Sequence, residues 1–159
     1  MASKKNWIKG AKTLPELGWT AGIIDGEGTV TLAQRCDRSH QYQVRVMVAN
    51  TDIAMILKLH SMWGGSFRKV AEKRLRRSDC FQWVVAAAQA CDLLKQVTPY
   101  MVTKVSVSKT CLEYQSRLTL ARGRSNIIPE GEKIIRFKLF SQVRKMNRKD
   151  RKWQQRNIG

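Results

Sequence analysis

The chain has 159 residues, a length that fits one domain of ordinary size, and its 43% hydrophobic residues with five tryptophans suffice for a packed core. Lys and Arg number 30 against 12 Asp and Glu, a net charge of +18; such a field concentrates polyanions, so nucleic acid is the first candidate partner and an anionic membrane surface the second. No apolar run approaches the ~20 residues that span a bilayer, and Met1–Lys12 carries four lysines with no apolar stretch behind them, so an intracellular, soluble protein with no secretory signal is expected.

Leu14 to about Asp25 reads as a helix, followed by a Gly26-Glu27-Gly28 turn. Thr29 to Arg35 alternates, with Val30 and Leu32 on one face and Thr29, Thr31 and Arg35 on the other. Gln41 to Asn50 repeats the pattern, with Tyr42, Val44, Val46 and Val48 opposite Gln41, Gln43, Arg45 and Met47. Alternation of period two marks strands with one buried face. Thr51 or Asp52 can cap a helix that runs to Trp63 on the apolar positions Ile53, Ile56, Leu57 and Leu59 and stops at Gly64-Gly65. Short strands over Ser66–Ala71 and Cys80–Val85 follow, joined by the basic stretch Glu72 to Arg77. Ala86–Val97 reads as a helix stopped before Pro99, and Thr103–Arg122 as another closed by Gly123. Pro129 opens a last helix with Ile134, Ile135, Phe137, Leu139, Phe140 and Val143 as its apolar set.

The order is αββαββα with extra C-terminal helices, an α+β fold. One four-stranded antiparallel sheet is expected to bury one face under the helices and leave the other exposed. There is no repeat and no second copy of any segment, so residues 1–159 read as a single domain with a basic arm over 1–12 and a basic tail over 147–159.

The exposed face is expected to carry Thr31, Arg35, Gln41, Gln43, Arg45, Gln82 and one or both of Arg68 and Lys69, with Arg74, Arg76 and Arg77 at the hairpin tip. An ordinary solvated sheet face is the bland alternative; the net charge favours a surface for nucleic acid. Arg and Gln make bidentate contacts to guanine and adenine edges in the major groove. Strands of about eight to ten residues reach ~30 Å, or about nine base pairs of groove.

Asp25 and Glu27 flank a glycine at the end of the first helix. Acids and glycines also occur at plain helix ends, but phosphodiester hydrolysis needs an anionic ligand for a hard divalent cation, and a carboxylate beside the Gly26 carbonyl supplies one. Cys36, Cys80, Cys91 and Cys111 form no C-x-x-C pair and stand at no zinc-ligand spacing from His40 or His60, so free thiols are expected and a structural zinc is not. His40 reads as a strand-turn or nucleic-acid backbone residue and His60 as a surface helix position.

The run Trp19-Thr20-Ala21-Gly22-Ile23-Ile24-Asp25-Gly26-Glu27-Gly28-Thr29-Val30 resembles the motif of the LAGLIDADG homing endonucleases, and the element order after it is that family's. The resemblance extends from about Leu14 to Met146, is strongest to the single-motif, homodimeric type encoded in group I introns, and includes Pro99-Tyr100-Met101-Val102-Thr103-Lys104, where the family has a Pro-aromatic segment leading to a lysine. It implies a DNA endonuclease that uses Mg²⁺ (or Mn²⁺ in its place) to make a staggered double-strand cut at a long pseudo-palindromic site. Glu27 falls at the family's metal-binding acid, where aspartate is usual, with the Gly26 carbonyl as a further ligand. Asp25 falls at the acid that supports the helix end. Asn50 matches a polar residue that orders active-site water, and Lys104 the lysine near the scissile phosphate. The implied partners are double-stranded DNA and a second copy of the chain. Intron RNA is the alternative partner, since some members are maturases that assist splicing. An organelle (chloroplast or mitochondrion) or a prokaryotic cytoplasm is the expected compartment.

Gly18 and Gly22 lie four apart on the motif helix, with Ala21 beside Gly22. Small residues at that spacing let two helix backbones approach closely, so the same helix is the expected dimer interface. From Lys133 onward the chain holds ten Lys and Arg and one acid, Asp150. The run Arg144 to Lys152 is nearly all charge; such tails are often disordered, but here phosphate contacts are expected from it, through Arg148 and Lys149 in particular, which position without specifying sequence.

Overall fold

A computed structural model of the protein describes residues 11–34, 41–70, 79–120 and 128–157, with side chains to 118 in the third stretch and to 148 in the last. Arg35, Arg74, Arg76 and Arg77 therefore lie outside the described residues, as do Cys36, His40, most of the N-terminal arm and the side chain of Lys149.

Helix α1 spans Leu14–Glu27. Its first turn is closed from both sides: the Thr13 hydroxyl accepts the Glu16 N–H at 3.4 Å, and the Glu16 carboxylate accepts the Thr13 N–H at 2.8 Å. The helix runs two residues past the end expected from the sequence, so Gly26 and Glu27 form its last turn and not a separate loop. Gly28 then donates its N–H to the Ile24 carbonyl and starts strand β1 at once. A Cβ on Gly28 would lie 2.6 Å from the Ile24 carbonyl oxygen, so the sharp helix-to-strand corner needs glycine on steric grounds.

Strands β1 (Gly28–Gln34), β2 (Tyr42–Asn50), β3 (Ser66–Val70) and β4 (Cys80–Ala86) form one antiparallel sheet in the order β1-β2-β4-β3. At 7, 9, 5 and 7 residues they are shorter on average than expected. Val30 and Leu32 of β1, Tyr42, Val44, Val46 and Val48 of β2, and Trp83 and Val85 of β4 are buried on the helix-covered face. The alternation expected for β1 and β2 is the one observed.

Helix α2 (Ile53–Trp63) starts at Asp52, whose carboxylate accepts the Ala54 N–H at 2.8 Å, and it ends at Gly64 and Gly65, both with positive φ. Ile56, Leu59, Met62 and Trp63 are its buried face; Ile53 and Leu57, expected inside, are exposed. His60 is half-buried, its Nδ1 3.2 Å from the Gly64 carbonyl, and not a plain surface position. The two buried tryptophans each place their indole N–H on an acceptor: Trp63 on the Thr20 hydroxyl at 3.0 Å and Trp83 on the Gly64 carbonyl at 2.8 Å. These bonds join α1, α2 and β4 across the core.

Helix α3 (Ala87–Val97) buries Ala90, Cys91, Leu93, Leu94 and Val97, and a 3₁₀ turn over Thr98–Tyr100 carries the chain past Pro99. Helix α4 (Val105–Leu120) buries Val107, Cys111 and Tyr114. The Tyr114 hydroxyl accepts the Tyr42 N–H and donates to the Tyr42 carbonyl, clamping α4 to the start of β2. Burial pushes the thiols of Cys91 and Cys111 up to about 11 and about 12, so both are inert packing groups.

Helix α5 (Glu130–Asn157) continues unbroken through the charged stretch expected to be a tail. Leu139 and Val143 are buried, but Ile134, Ile135 and Phe137 are exposed, and Arg136 takes an inward place at 4% exposure. Arg136 is tolerated there because Glu132, one turn earlier, accepts its Nε–H at 3.0 Å and also receives Arg117 of α4 at 2.8 Å. No helix among the described residues is long and apolar enough to cross a membrane.

Candidate functional site

A cleft of about 890 Å³ opens where the end of α1, the face of β1, the segment before α4 and the middle of α5 converge. Asp25, Gly26, Glu27, Lys104, Arg144 and Arg148 are among its lining residues. The two acids of the motif have different surroundings. Asp25 turns to the segment before α4: its carboxylate accepts the Val102 N–H at 2.6 Å, the Thr103 hydroxyl at 3.0 Å and the Lys104 N–H at 3.0 Å. Partial burial pushes the Asp25 carboxyl up, but the bonds from Val102, Lys104 and Thr103 outweigh it and hold the group below the usual carboxylate value. The Lys104 ammonium donates to the Asp25 main-chain carbonyl, so the lysine is fixed beside the helix end by both its backbone and its side chain.

Glu27 is exposed at the cleft, and no hydrogen bond or ion pair among the described residues engages its carboxylate. It sits at the C-terminus of α1, where the last carbonyls have no intrahelical donor and the helix end is partly negative. No group of three or more His, Cys, Asp or Glu side chains gathers among the described residues. A cation here would rely on the Glu27 carboxylate, the Gly26 carbonyl, water and a ligand's own phosphates. That donor set suits Mg²⁺, which is usually held by one or two carboxylates with substrate phosphate and several waters.

Of the other residues named from the sequence, Asn50 does not line this cleft. Its side-chain carbonyl accepts the Asp52 N–H at 2.8 Å and shapes the turn into α2. The register places Thr31, Gln43, Arg45, Gln82 and Arg68 on the face away from the helices, with Gln41 in phase just before β2. Gln82 and Arg68 are cross-strand partners joined by a 3.2 Å hydrogen bond. Lys69 is on the opposite face, level with Phe81, and forms an ion pair with Asp79 at 2.6 Å, so of the two basic residues expected on the polar face Arg68 is the one that lies there. The Nε of Arg45, near the middle of the face, is shielded from solvent with no hydrogen-bond partner among the described residues. Such a donor is open to an acceptor beyond the described residues.

Gly18, Gly22 and Gly26 form an exposed stripe along α1, and a Cβ added to any of them would meet nothing within 4 Å. Ala21, expected with them, is fully buried in the chain's own core and cannot face a second molecule. Thr103, Arg144 and Asn147 also line the cleft; sequence reasoning assigned Thr103 no functional role, and offered Arg144 and Asn147 only as part of the charged run Arg144 to Lys152. The spacing Phe140, Arg144, Asn147, Arg148 is that of one helix face and is the signal that could have found the last two.

No family model and no curated protein matches the sequence. The fold is that of the LAGLIDADG homing endonucleases, which solved structures at low sequence identity share. One is homing endonuclease I-CvuI, solved with a DNA target in the presence of 2 mM Mg and with that DNA not cleaved; it is 18% identical, the match covers 81% of this chain and 94% of that one, and the TM-score is 0.54. Homing endonuclease I-TnaI is 14% identical over 84% of this chain and 96% of its own, with a TM-score of 0.55. The archaeal intron-encoded homing endonuclease I-Vdi141I, solved with DNA, is 13% identical over 82% and 96%, with a TM-score of 0.50.

Proposed function

We propose that the protein is a sequence-specific DNA endonuclease that acts as a homodimer and makes a metal-dependent staggered double-strand cut at a long pseudo-palindromic site. The observation that carries this reading is the Glu27 carboxylate, unengaged at the cleft where the motif helix ends, with Lys104 lining the same cleft. In a chain of net charge +18, an acid left unpaired at a basic cleft has a plain use as a cation ligand. Solved structures of similar fold are homing endonucleases held on DNA, which supports double-stranded DNA as the substrate.

Glu27 and the Gly26 carbonyl would hold Mg²⁺, with Mn²⁺ as a workable substitute. When bound, the cation stabilises charge on the attacking and leaving oxygens of the phosphodiester. Lys104 is held within reach of the same phosphate, where its ammonium offsets developing negative charge. Asp25 does none of this directly; it fixes the position of Lys104. The sheet face supplies base contacts through Arg45, Gln43, Gln82 and Arg68. One chain brings a single Glu27, and a two-fold pairing through the Gly18–Gly22–Gly26 stripe brings a second for the other strand.

The test is Glu27→Gln, assayed on a plasmid library with a randomised site in Mg²⁺. Cleavage is lost while binding to the selected site is kept. Unchanged cleavage by this variant overturns the assignment.

A further inference from the structure

Helix α5 is held against the body of the protein in one register, and that register aims one of its faces into the cleft. Leu139 and Val143 are buried, Tyr42 stacks on Phe140 with ring centroids 4.3 Å apart, and the Asn147 amide donates to the Val30 carbonyl of β1 at 3.1 Å. Val30 belongs to β1, an edge strand of the sheet, so this bond ties the helix to the strand that leaves the motif directly. The Arg144 guanidinium lies over the Phe140 ring, 5.6 Å from its centroid, so the Tyr42–Phe140 stack serves as a post for that charge. Arg148 follows one turn later on the same face and lines the same cleft as Glu27.

The geometry points to Arg144 and Arg148 as a phosphate clamp that holds the backbone of the DNA strand lying across Glu27. The inference rests on the reading of the cleft as a phosphodiester-cutting site. Two guanidiniums one turn apart can each take two oxygens of a phosphate, so they fix the orientation of the strand as well as attract it. The unengaged carboxylate at Glu27 repels a phosphate, and the cations that line the same cleft offset that repulsion. Arg144 and Arg148 are positioning residues: they bind neighbouring phosphates and touch no reacting atom.

The experiment measures DNA affinity against salt in the Glu27→Gln background, on a duplex selected from the cleavage library and on a random-sequence duplex. Arg144→Gln with Arg148→Gln lowers the slope of log K against log salt by about 1.8, since each phosphate contact contributes about 0.9. Lysines at both positions restore the slope. The pair Lys138→Gln with Lys145→Gln removes the same charge from another, exposed face of α5 and leaves the slope in place. All variants keep the parent's unfolding midpoint, because Arg144 and Arg148 are exposed. An unchanged slope for the arginine pair, or an equal fall for the lysine pair, overturns the clamp. If no library site is cleaved by the parent chain, the endonuclease reading fails, and the random-sequence duplex still decides the clamp.

Discussion

Asp25 and Lys104 are joined twice: the Lys104 N–H donates to the Asp25 carboxylate at 3.0 Å, and the Lys104 ammonium donates to the Asp25 main-chain carbonyl. The lysine's position is thus set by a residue 79 places earlier, at the end of the motif helix. Asp25→Asn keeps the size of the side chain but turns an N–H₂ toward a row of N–H and O–H donors. The expected outcome is a slower single-turnover cleavage at saturating DNA, on the order of 10²-fold, because small displacements of an active-site group carry penalties of that size. DNA affinity changes little, since neither group is needed to hold the duplex. A variant that cleaves at the parent rate shows that the anchoring is irrelevant to Lys104.

Acid is expected to loosen the junction of α4 and α5 through Glu132. The hydrogen bond from Arg117 lowers the Glu132 pKa most; burial opposes this, and the bond from Arg136 adds to it. The folded value therefore lies below the unfolded one, near ~4.3. The stabilisation is fully present above the unfolded value and is lost as pH falls through the folded one. Asp25, also lowered, contributes with the same sign. Melting curves from about pH 6 downward should show the midpoint falling below about pH 4.5. Glu132→Gln should start lower, by about 1–3 kcal/mol for the lost charged hydrogen bonds, and fall less steeply with acid. A parallel fall in both proteins shows that other carboxylates govern the acid limb.

Gly22→Leu separates the two uses of the motif helix. A side chain there meets nothing within 4 Å in the chain itself, and removing a helical glycine is favourable by about 1 kcal/mol. The single chain therefore keeps its fold. A second helix packed along the Gly18–Gly22–Gly26 stripe would be pushed away, so sedimentation should show a shift from dimer to monomer, with cleavage lost alongside. A dimer of unchanged affinity places the interface elsewhere.

The sequence showed most where one face of an element is buried throughout. Val44, Val46 and Val48 alternate with Gln43, Arg45 and Met47, so the polar face of β2 was readable without a structure. Strand β3 gave no such signal: four of its five residues are exposed, the edge strand buries almost nothing, and the roles of Arg68 and Lys69 stayed open until the register was known. Helix α5 misled in a different way. Ile134 and Phe137 look like core residues and Arg136 does not, yet the arginine goes inward because Glu132, one turn earlier, compensates its charge. The local i,i+4 spacing offered that pair; what no local pattern contains is Arg117 of α4, which holds the Glu132 carboxylate from the other side. The small-residue spacing on α1 signalled a close approach but not its partner; at Ala21 the neighbour is the chain's own core. The cleft itself joins residues of α1, β1, the segment before α4 and α5, so Asp25, Gly26, Glu27 and Lys104 were accessible through the family resemblance and Arg148 through its charge, whereas nothing local sets Arg144 and Asn147 apart from the rest of the charged run.

Two glycines two residues apart at the motif's end are expected to respond oppositely to alanine. Gly26 is exposed, and a Cβ there meets nothing within 4 Å. At Gly28 the added carbon would lie 2.6 Å from the Ile24 carbonyl oxygen and 2.7 Å from its Cα, both main-chain atoms that cannot swing aside. The corner would have to open, moving Glu27 relative to β1. Gly28→Ala should lower stability by about 1–3 kcal/mol, the usual range for overpacking, and should slow cleavage beyond what partial unfolding explains. Gly26→Ala should melt at or slightly above the parent, since the helix gains a better helix former. Equal melting of the two variants would show that the tight corner after Glu27 does not depend on the missing side chain at Gly28.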